Sequence, residues 1–327
     1  MNNSVKKIAV FSSGGDAPGM NAAIRAVVRT ANHCGIEVYG IYRGYQGLIE
    51  GDIKKLANKD MANIIHRGGT ILKTARSKDF MTPQGRRDAH KILEAYEIDA
   101  MIAIGGNGTL TGAKIFIEEY GFPIVGIPGT IDNDLYGTDL TIGFDTAVNT
   151  AIEAVDRIRD TADSHNRIFF IEVMGRHAGF IALNTGIGSG ASDILIPEDY
   201  ETMDDLIKVV GNNKSRKKLF NLVIVAEGSK LGGINAIADR VQEAYPEREI
   251  RVAVIGHLQR GGSPTAIDRV LASRLGYGAV KAVQEGKGGI MLGLRDNSLN
   301  EVSLDDAISK KKQVAEELIE LAKVLAS

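Results

Sequence analysis

The chain has 327 residues, of which 44% are hydrophobic and 24% are charged, a composition typical of soluble globular proteins. Its formal net charge of -2 excludes a broad basic field that would hold nucleic acid or an anionic membrane. The single cysteine, Cys34, excludes a disulfide framework and favours a reducing compartment.

The length predicts about two domains of ~150 residues each. The N-terminal stretch lacks the apolar region of a signal peptide, and no apolar run reaches the ~18 residues of a membrane span. We therefore expect a cytoplasmic protein that binds neither nucleic acid nor membrane.

Apolar stretches typical of strands alternate with amphipathic helical patterns along nearly the whole chain. The strand candidates lie at residues 8–12, 37–42, 100–105, 124–128, 167–173, 193–197, 221–226, 251–255 and 289–293. This alternation predicts an α/β fold with mostly parallel sheets. No stretch rich in proline, serine or glycine separates two halves, so short connections must cross any domain boundary.

The first predicted strand leads into a glycine turn, Ser-Gly-Gly-Asp-Ala-Pro-Gly-Met-Asn at 13–21. Adjacent glycines let the backbone approach a phosphate, although a tight turn between strand and helix is the alternative. In the following helix Arg25 and Arg29 share one face at i, i+4. Like charges at this spacing repel mildly unless an anion lies between them, and a solvated face is the alternative.

The segment 66–76 shows neither the hydrophobic periodicity of a helix nor that of a strand. It is predicted to be a loop with basic residues, Lys73 and Arg76 among them. Thr82 is placed to cap a helix that ends near Glu97. Further along, apolar residues from Val148 to Ile158 indicate a long helix that ends near Arg159.

A second glycine turn, Ile-Gly-Gly-Asn-Gly-Thr-Leu-Thr-Gly, occupies 104–112. Its spacing matches neither the Gly-x-x-x-x-Gly-Lys-Ser/Thr phosphate loop nor the Gly-x-Gly-x-x-Gly dinucleotide motif. It does offer backbone amides at a helix start, which suits the phosphates of a nucleotide.

The central feature is the stretch Ile-Val-Gly-Ile-Pro-Gly-Thr-Ile-Asp-Asn-Asp at 124–134. A strand ends at Pro128, and the turn behind it carries Thr130, Asp132 and Asp134. Ligands of parallel sheets bind at such carboxyl ends. Two nearby carboxylates can hold a cation and accept a proton, whereas shaping the turn and capping the next helix is the alternative. We interpret this turn as the catalytic centre.

Four arginines at strand ends suit a phosphorylated small molecule, because a guanidinium binds phosphate with two hydrogen bonds. They are Arg167, Arg176, Arg251 and Arg260. His177 and His257 can act as ligands or bases, and hydrogen bonding to a polar substrate is the preferred role for His257. No cysteine/histidine spacing indicates a transition-metal site.

Four motifs together resemble the bacterial ATP-dependent 6-phosphofructokinases. They are the turns at 13–21 and 128–134, Glu-Val-Met-Gly-Arg at 172–176, and Gly-His-Leu-Gln-Arg-Gly-Gly-Ser-Pro at 256–264. The match stays in register from about residue 6 to about residue 295. The resemblance implies transfer of the γ-phosphoryl group of ATP to the 1-hydroxyl of fructose 6-phosphate, with Mg²⁺.

The resemblance also implies two doubly wound parallel-sheet (Rossmann-like) domains in a subunit of a homotetramer. The larger, ATP-binding domain would comprise residues 1–142 and 259–309. The smaller domain, which would bind fructose 6-phosphate, would comprise residues 143–258 and 310–327.

Site residues follow from the same resemblance. Asp132 falls on the catalytic base, with Thr130, Arg76 and Arg176 beside it. The implied ATP site is Gly15, Arg76, Ser77, Gly106, Asn107, Gly108 and Thr109. The implied fructose 6-phosphate site is Thr130, Asp132, Met174, Gly175, Arg176, Glu227, His257 and Arg260, with Arg167 and Arg251 reaching the 6-phosphate from a neighbouring subunit. Asn107 and Asp134 are the candidate ligands of Mg²⁺.

The chain departs from the family at the second glycine turn, which usually reads Gly-Gly-Asp-Gly with its aspartate near the magnesium. Here Asn107 offers Mg²⁺ an oxygen without a charge. Gly108 and Gly129 stand where pyrophosphate-using members carry Asp and Lys, so both indicate ATP.

A second departure concerns the pocket that binds ADP or phosphoenolpyruvate as an effector. The matching residues are Arg25, Arg29, Arg159, Gly190 and Lys218. Ser192 stands where regulated members usually carry Glu, and Asn58 and Ala62 replace polar or basic residues. Regulation by these effectors therefore stays open.

Two other functions remain open. One is a non-catalytic or weakly active regulatory paralogue that binds nucleotide and sugar phosphate, which Asn107 favours and the intact Asp132, Asp134, Arg76 and Arg176 oppose. The other is a kinase for a different acceptor, such as the lipid or dinucleotide kinases with a Gly-Gly-Asp-Gly-Thr turn. Those kinases lack the motif found here at 256–264.

Overall fold

Residues 5–165, 167–199, 202–215 and 221–326 are described by a computed structural model of the chain. They divide into two units, each with its own sheet. Unit 1 comprises Met1–Ile131, Leu135–Thr146 and Arg260–Lys312. Unit 2 comprises Asp132–Asp134, Ala147–Gln259 and Gln313–Ser327.

Strands and helices alternate along most of the described chain. The strands are β1 Lys7–Ser13, β2 Glu37–Ile41, β3 Ile53–Leu56, β4 Ala100–Gly105, β5 Ile124–Pro128, β6 Ile168–Val173, β7 Asp193–Leu195, β8 Asn221–Ala226, β9 Ile250–Val254, β10 Ile290–Arg295 and β11 Ser298–Ser303. The helices are α1 Met20–His33, α2 Gly44–Glu50, α3 Pro83–Tyr96, α4 Asn107–Tyr120, α5 Phe144–His165, α6 Phe180–Ser189, α7 Met203–Ser215, α8 Ile234–Ala244, α9 Ala266–Gln284, α10 Leu304–Ser309 and α11 Glu316–Ala326. Short 3₁₀ turns lie at Asn58–Met61, Asp79–Met81 and Gly256–Arg260.

The predicted α/β class is confirmed, and each of the nine predicted strands is present with its ends within two residues of the prediction. The prediction missed β3 and β11, which pair antiparallel at the two edges of the larger sheet. The predicted end of the long helix near Arg159 was wrong, because α5 continues to His165. Thr82 caps α3 as predicted, since its Oγ1 accepts a hydrogen bond from the amide of Gly85 at 3.1 Å.

Unit 1 is built on a seven-stranded sheet with the order β11-β10-β5-β4-β1-β2-β3. The five central strands run parallel. From β1 the chain moves outward to β2 and then returns to place β4 on the other side of β1. This reversal is a topological switch point, where ligands of such sheets bind outside the carboxyl ends of the strands. Both glycine turns leave the sheet at this point, one from β1 and the other from β4.

The core of unit 1 holds these strand ends in place. Phe11, Leu93, Met101 and Phe116 are fully buried, and burying a side chain of this size contributes about 1.5–3 kcal/mol. Helices α1 and α9 pack so closely that a Cβ on Gly276 would lie 2.7 Å from the backbone oxygen of Ala23. The start of α1, which follows the first glycine turn, is therefore fixed against the sheet.

Unit 2 has a four-stranded parallel sheet with the order β7-β8-β6-β9. Its core comprises Phe170, Leu206, Val223 and Ile237, each at most 1% exposed. The central strands β6 and β8 end side by side at Val173 and Ala226. The Met-Gly-Arg motif and Glu227 follow these two ends directly.

Candidate active site

The two glycine turns of unit 1 contact each other at the ends of β1 and β4. Ser13 and Gly105 are register partners, and the Thr109 hydroxyl donates to the Ser13 carbonyl oxygen at 3.1 Å. A Cβ on Gly105 would lie 2.3 Å from Thr109 Oγ1 and 2.6 Å from that carbonyl. Only glycine at position 105 permits this contact, which fixes the first turn of α4 against β1.

The start of α4 presents backbone amides to solvent. Gly106 precedes the helix, and Asn107 and Gly108 are exposed in its first turn. The first amides of a helix have no partner within it and favour an anion. The Asn107 Oδ1 accepts a hydrogen bond from the Thr111 hydroxyl at 3.2 Å. The structure therefore places Asn107 and Gly108 at an exposed helix start, whereas the Thr109 hydroxyl bonds to the Ser13 carbonyl oxygen inside the protein.

Gly15, in the first glycine turn, lies against Arg260. A Cβ on Gly15 would be 2.5 Å from Arg260 Nη1, and the same nitrogen donates to the Asp16 carbonyl oxygen at 3.2 Å. Arg260, which the resemblance assigns to the sugar phosphate, thus lies beside the first glycine turn in unit 1.

Arg76 is exposed in the irregular segment between the two 3₁₀ turns that flank it. The next residue is anchored, because the Ser77 hydroxyl donates to Gln46 Oε1 at 2.7 Å and accepts from the Phe80 amide at 3.1 Å. Ser77 therefore fixes the backbone beside Arg76.

In the central turn, the part that belongs to unit 1 is tied to the rest of that unit. Thr130 is 8% exposed, and its carbonyl oxygen accepts from the Thr141 hydroxyl at 2.5 Å. A Cβ on Gly106 would lie 3.5 Å from Thr130 Cβ. Thr130 is thereby held next to the second glycine turn.

Asp132 forms an ion pair with Arg176 within unit 2. The Arg176 Nε and Asp132 Oδ2 are 3.3 Å apart, and the carboxylate is 2% exposed whereas the guanidinium is 56% exposed. The residue that follows Asp132, Asn133, has a left-handed backbone with φ 54°, and Asp134 is half-buried. The pair places a buried carboxylate next to a cation that solvent and ligands can reach.

Arg176 is held by a strained turn after β6. Gly175 has φ 141° and Arg176 has φ 53°. The Glu227 Oε1 accepts from the Arg176 amide at 2.6 Å and from the Gly175 amide at 3.3 Å. A Cβ on Gly228 would lie 2.0 Å from the Arg176 carbonyl oxygen. The Glu227 carboxylate thus fixes the backbone that carries Arg176.

Gln259 holds the backbone of the Met-Gly-Arg motif, and the sequence interpretation missed it. It is fully buried, its Oε1 accepts from the Met174 amide at 2.9 Å, and its Nε2 donates to the Ala147 carbonyl oxygen at 3.4 Å. It lies inside the motif at 256–264, in which a role was predicted only for the exposed His257 and the basic Arg260. Position within that motif was the one signal available.

Burial raises the pKa of Glu172 on β6, and the nearby charge of Glu227 raises it further. Glu172 is half-buried and lies two residues before Met174. A carboxyl whose pKa is raised beside a second carboxylate is a feature common at functional sites.

Arg167 and Arg251 meet at the opposite end of β6. Phe169 and Arg251 are register partners, and Glu249 pairs with both arginines, with 2.8 Å between Arg167 Nε and Glu249 Oε2. The six residues of β6 separate this pair from Arg176 by roughly 20 Å at ~3.3 Å per residue. Within unit 2 these two arginines and Arg176 therefore cannot bind one small ligand.

The candidate effector residues fall in both units. Arg25 and Arg29 lie on α1 in unit 1, where burial and the charge of Arg29 lower the pKa of Arg25. Arg159 and Gly190 lie in unit 2, where a Cβ on Gly190 would be 4.0 Å from Arg159 Nη2. Lys218 lies outside the described residues.

Within the described ranges, no group of three or more His, Cys, Asp or Glu side chains is placed to hold a metal ion. None of the described helices is long and apolar enough to span a membrane.

Comparisons with known proteins agree on one family. The family model for phosphofructokinase matches residues 7–283. The chain is 54% identical to ATP-dependent 6-phosphofructokinase 1 of Thermus thermophilus, over 98% of this chain and 100% of that protein. It is 52% identical to ATP-dependent 6-phosphofructokinase 2 of Bacteroides thetaiotaomicron, over 98% and 99% of the two chains. Its structure matches phosphofructokinase from Saccharomyces cerevisiae with a TM-score of 0.90 and 39% identity, covering 98% of this chain and about half, 48%, of that one.

Proposed function

Because the chain belongs to the phosphofructokinase family, we propose that it transfers the γ-phosphoryl group of ATP to the 1-hydroxyl of fructose 6-phosphate. The observation that carries the proposal is the pair of Asp132 with Arg176 at 3.3 Å, with Asp132 2% exposed. The non-catalytic paralogue and the kinase for another acceptor gain no support from the relatives, which are named ATP-dependent 6-phosphofructokinases.

Asp132 is the group that orients the 1-hydroxyl and takes its proton. Phosphoryl transfer depends on positioning and on neutralising charge more than on covalent help from the protein. Arg176 lies beside the carboxylate and is exposed, so its guanidinium can meet the charge that develops on the transferred group. Arg76 is proposed to do the same from the loop of unit 1.

The nucleotide phosphates bind at the switch point of the seven-stranded sheet. Exposed Asn107 and Gly108 open α4 there, and Gly15 lets the backbone of the first turn come close to a phosphate. No protein atom lies within 4 Å of a Cβ built on Gly108, so this position leaves room for a nucleotide. Unit 1 is therefore the proposed ATP-binding domain and unit 2 the proposed sugar-phosphate domain.

Asn107 in unit 1 and Asp134 in unit 2 carry oxygen donors of the type that Mg²⁺ prefers. Magnesium usually keeps several waters and binds through one or two protein oxygens plus the substrate phosphates. The Asn107 amide oxygen and the half-buried Asp134 carboxylate would hold it, and Asp132 is a further oxygen donor. When bound, the ion neutralises the charge of the phosphates.

Fructose 6-phosphate is proposed to contact Met174, Gly175, Arg176, Glu227, His257 and Arg260. The distance along β6 between Arg176 and the pair of Arg167 with Arg251 supports a site completed by a neighbouring subunit. We also propose, as the family resemblance implies, a homotetramer that works in the cytoplasm. Arg25, Arg29, Arg159, Gly190 and Lys218 are the proposed effector residues for ADP or phosphoenolpyruvate.

The test follows formation of the sugar bisphosphate by ³¹P NMR with the purified chain, which detects transfer from any phosphoryl donor. Fructose 6-phosphate is compared with fructose 1-phosphate and glucose 6-phosphate, and ATP is compared with pyrophosphate. We expect turnover only with the pair of ATP and fructose 6-phosphate. No turnover with any pair would support the non-catalytic alternative, and preference for another acceptor would overturn the substrate assignment.

A further inference from the structure

Asn21 is buried in the first turn of α1, directly behind the first glycine turn. It is 1% exposed, and a buried amide is costly unless it is hydrogen-bonded. Its Nδ2 donates to the carbonyl oxygens of Arg67 at 3.0 Å and Gly68 at 3.2 Å. Its Oδ1 accepts from the Ile71 amide at 2.7 Å. A flipped amide would turn its oxygen toward two carbonyls, so these bonds define one orientation.

The loop that Asn21 binds has no regular structure of its own. Residues 62–78, all of which are described, contain neither helix nor strand, so their backbone groups need partners elsewhere. Ser12 contacts the Thr70 hydroxyl at 2.6 Å and donates to the Lys73 carbonyl oxygen at 3.2 Å. Ser263 donates to the His66 carbonyl oxygen at 2.7 Å. Asn21 contributes three further bonds, more than either serine.

The same loop carries Arg76. Lys73 is held through Ser12, and Ser77 is held through Gln46, so Arg76 lies between two anchored points. Arg76 itself is exposed. Its position relative to the phosphates therefore depends on where residues 67–73 place the backbone. A displacement of about 1 Å in a group that positions substrate can cost ~10²-fold in rate.

We propose that Asn21 is a positioning residue for phosphoryl transfer, which sets the place of Arg76 by binding the loop at residues 67–71. The proposal rests on the proposed function and adds to it a residue that touches neither substrate. Asn21 bonds only to backbone atoms of the loop in these three contacts, so it sets the path of the loop backbone whatever the side chains there are.

The first experiment replaces the amide while keeping its size. In Asn21→Asp, a carboxylate oxygen faces the two carbonyls that accepted hydrogen bonds, and kcat should fall by about 10–100-fold. The KM for fructose 6-phosphate should change less than about three-fold, since only transition-state interactions are lost. Asn32→Asp is the matched control: Asn32 lies on the same helix, and its amide donates to Asn58 near the surface.

A double-mutant cycle separates positioning from general destabilisation. If Asn21 acts through Arg76, Asn21→Asp combined with Arg76→Ala should be no slower than Arg76→Ala alone. Rate losses that multiply would show that the two residues act independently and would overturn the proposal. Asn21→Leu, which keeps the branch at Cγ and adds no charge, carries the cycle if Asn21→Asp does not fold.

Limited trypsin digestion measures how easily the loop opens, independently of any assay of activity. Cleavage after the exposed Arg67 and Lys73 should be at least ~10-fold faster in Asn21→Leu than in wild type or Asn32→Asp, because opening of the loop becomes easier. Unchanged cleavage would contradict the proposal. If the wild type lacks kinase activity, the proposed function fails while this measurement still reports on the loop.

Discussion

The two units use their buried polar groups in different ways. In unit 1 such groups bond to distant parts of the same unit, and two of them make three hydrogen bonds each. Asp268 on α9 is fully buried and accepts from the Gly143 amide at 2.8 Å, the Thr146 amide at 2.8 Å and the Thr146 hydroxyl at 2.5 Å. Asn21 makes three bonds, and Thr109 links the start of α4 to the end of β1. The turns of unit 1 are thus fixed by the protein itself.

In unit 2 two described clusters of charge show a different arrangement. Arg167 and Arg251 share one carboxylate, that of Glu249. On β7 the Asp193 Oδ1 accepts from the Ile194 amide at 2.9 Å, while its buried Oδ2 has no hydrogen-bond partner among the described residues. In the proposed function, unit 1 would therefore bind its ligand with preformed backbone turns, whereas unit 2 would bind with charges that exchange a carboxylate for a phosphate.

The largest expected effect is at the Asp132–Arg176 pair. Asp132→Ser should lower kcat by about 10²–10⁴-fold, the range for a positioned acid or base, with little change in the KM for fructose 6-phosphate. Steady-state kinetics at saturating ATP measure both parameters. Near-normal turnover would remove Asp132 from the mechanism and leave the charges of unit 2 with a binding role only.

Arg251→Ala tests whether the shared arginine pair binds phosphate. A hydrogen bond to a charged group is worth about 1.5–3 kcal/mol, so the KM for fructose 6-phosphate should rise roughly 10–150-fold. Arg157→Ala, which removes an exposed arginine paired with Glu153 on α5, is the control and should leave the KM unchanged.

The same variant tests the proposed contribution of a neighbouring subunit. Co-refolding Arg251→Ala with Asp132→Ser should restore part of the activity, since a hybrid assembly can contain one intact site. Mixtures that stay as inactive as their parents would mean that each chain builds its own site.

The variant Asp193→Asn tests how much the buried carboxylate of Asp193 lowers the free energy of unfolding. Burial raises the pKa of Asp193 to about 6 from its usual 3.8. The folded state then holds more protons than the unfolded state between those values, so the free energy of unfolding falls as pH rises from about 4 to 6. A shift of about two units corresponds to at most ~3 kcal/mol. Urea unfolding should show that wild type loses up to that amount of stability relative to Asp193→Asn between about pH 4 and pH 6, and a pH-independent difference between the two proteins would contradict the prediction.

Thr109→Val tests the preformed turns of unit 1. Valine keeps the shape but leaves the buried Ser13 carbonyl without its donor, which should cost about 1–3 kcal/mol of the free energy of unfolding. Thr111→Val is the matched control, because the Thr111 hydroxyl bonds within the exposed start of α4 and should cost less than about 0.5 kcal/mol. Equal costs for both variants would show that the contact between the turns is not stabilising.

The smallest expected effect is at Asn107. Asn107→Asp adds a negative charge at a helix start, near the proposed Mg²⁺–nucleotide complex. Two opposite unit charges ~4 Å apart at an effective dielectric of ~20 attract each other by about 4 kcal/mol. Most of this energy is offset by the hydration that the ion loses and by repulsion between the new carboxylate and the phosphates. The Mg²⁺ concentration for half-maximal rate should therefore fall a few-fold, with the KM for fructose 6-phosphate unchanged. Turnover in the variant but not in wild type at any Mg²⁺ level would favour the non-catalytic alternative.

The sequence by itself determined the central strands and the turns behind them. Apolar runs of β-branched residues bounded by Gly, Pro and Asp carry this information locally, so the strands that end at Ser13, Gly105 and Pro128 were predictable. The motifs also determined the family, because four of them occur in register along the chain.

Only the tertiary structure decided which residues hold those turns. Gln259 reaches Met174 and Ala147, Asp268 reaches Gly143, and Glu249 pairs with Arg167, all from distant positions in the sequence. The edge strands β3 and β11 were missed for the same reason, since the neighbouring strand rather than their own residues makes them strands. Hydrogen bonds between side chains and remote backbone atoms depend on where the sheet brings the chain together, and no local pattern records that.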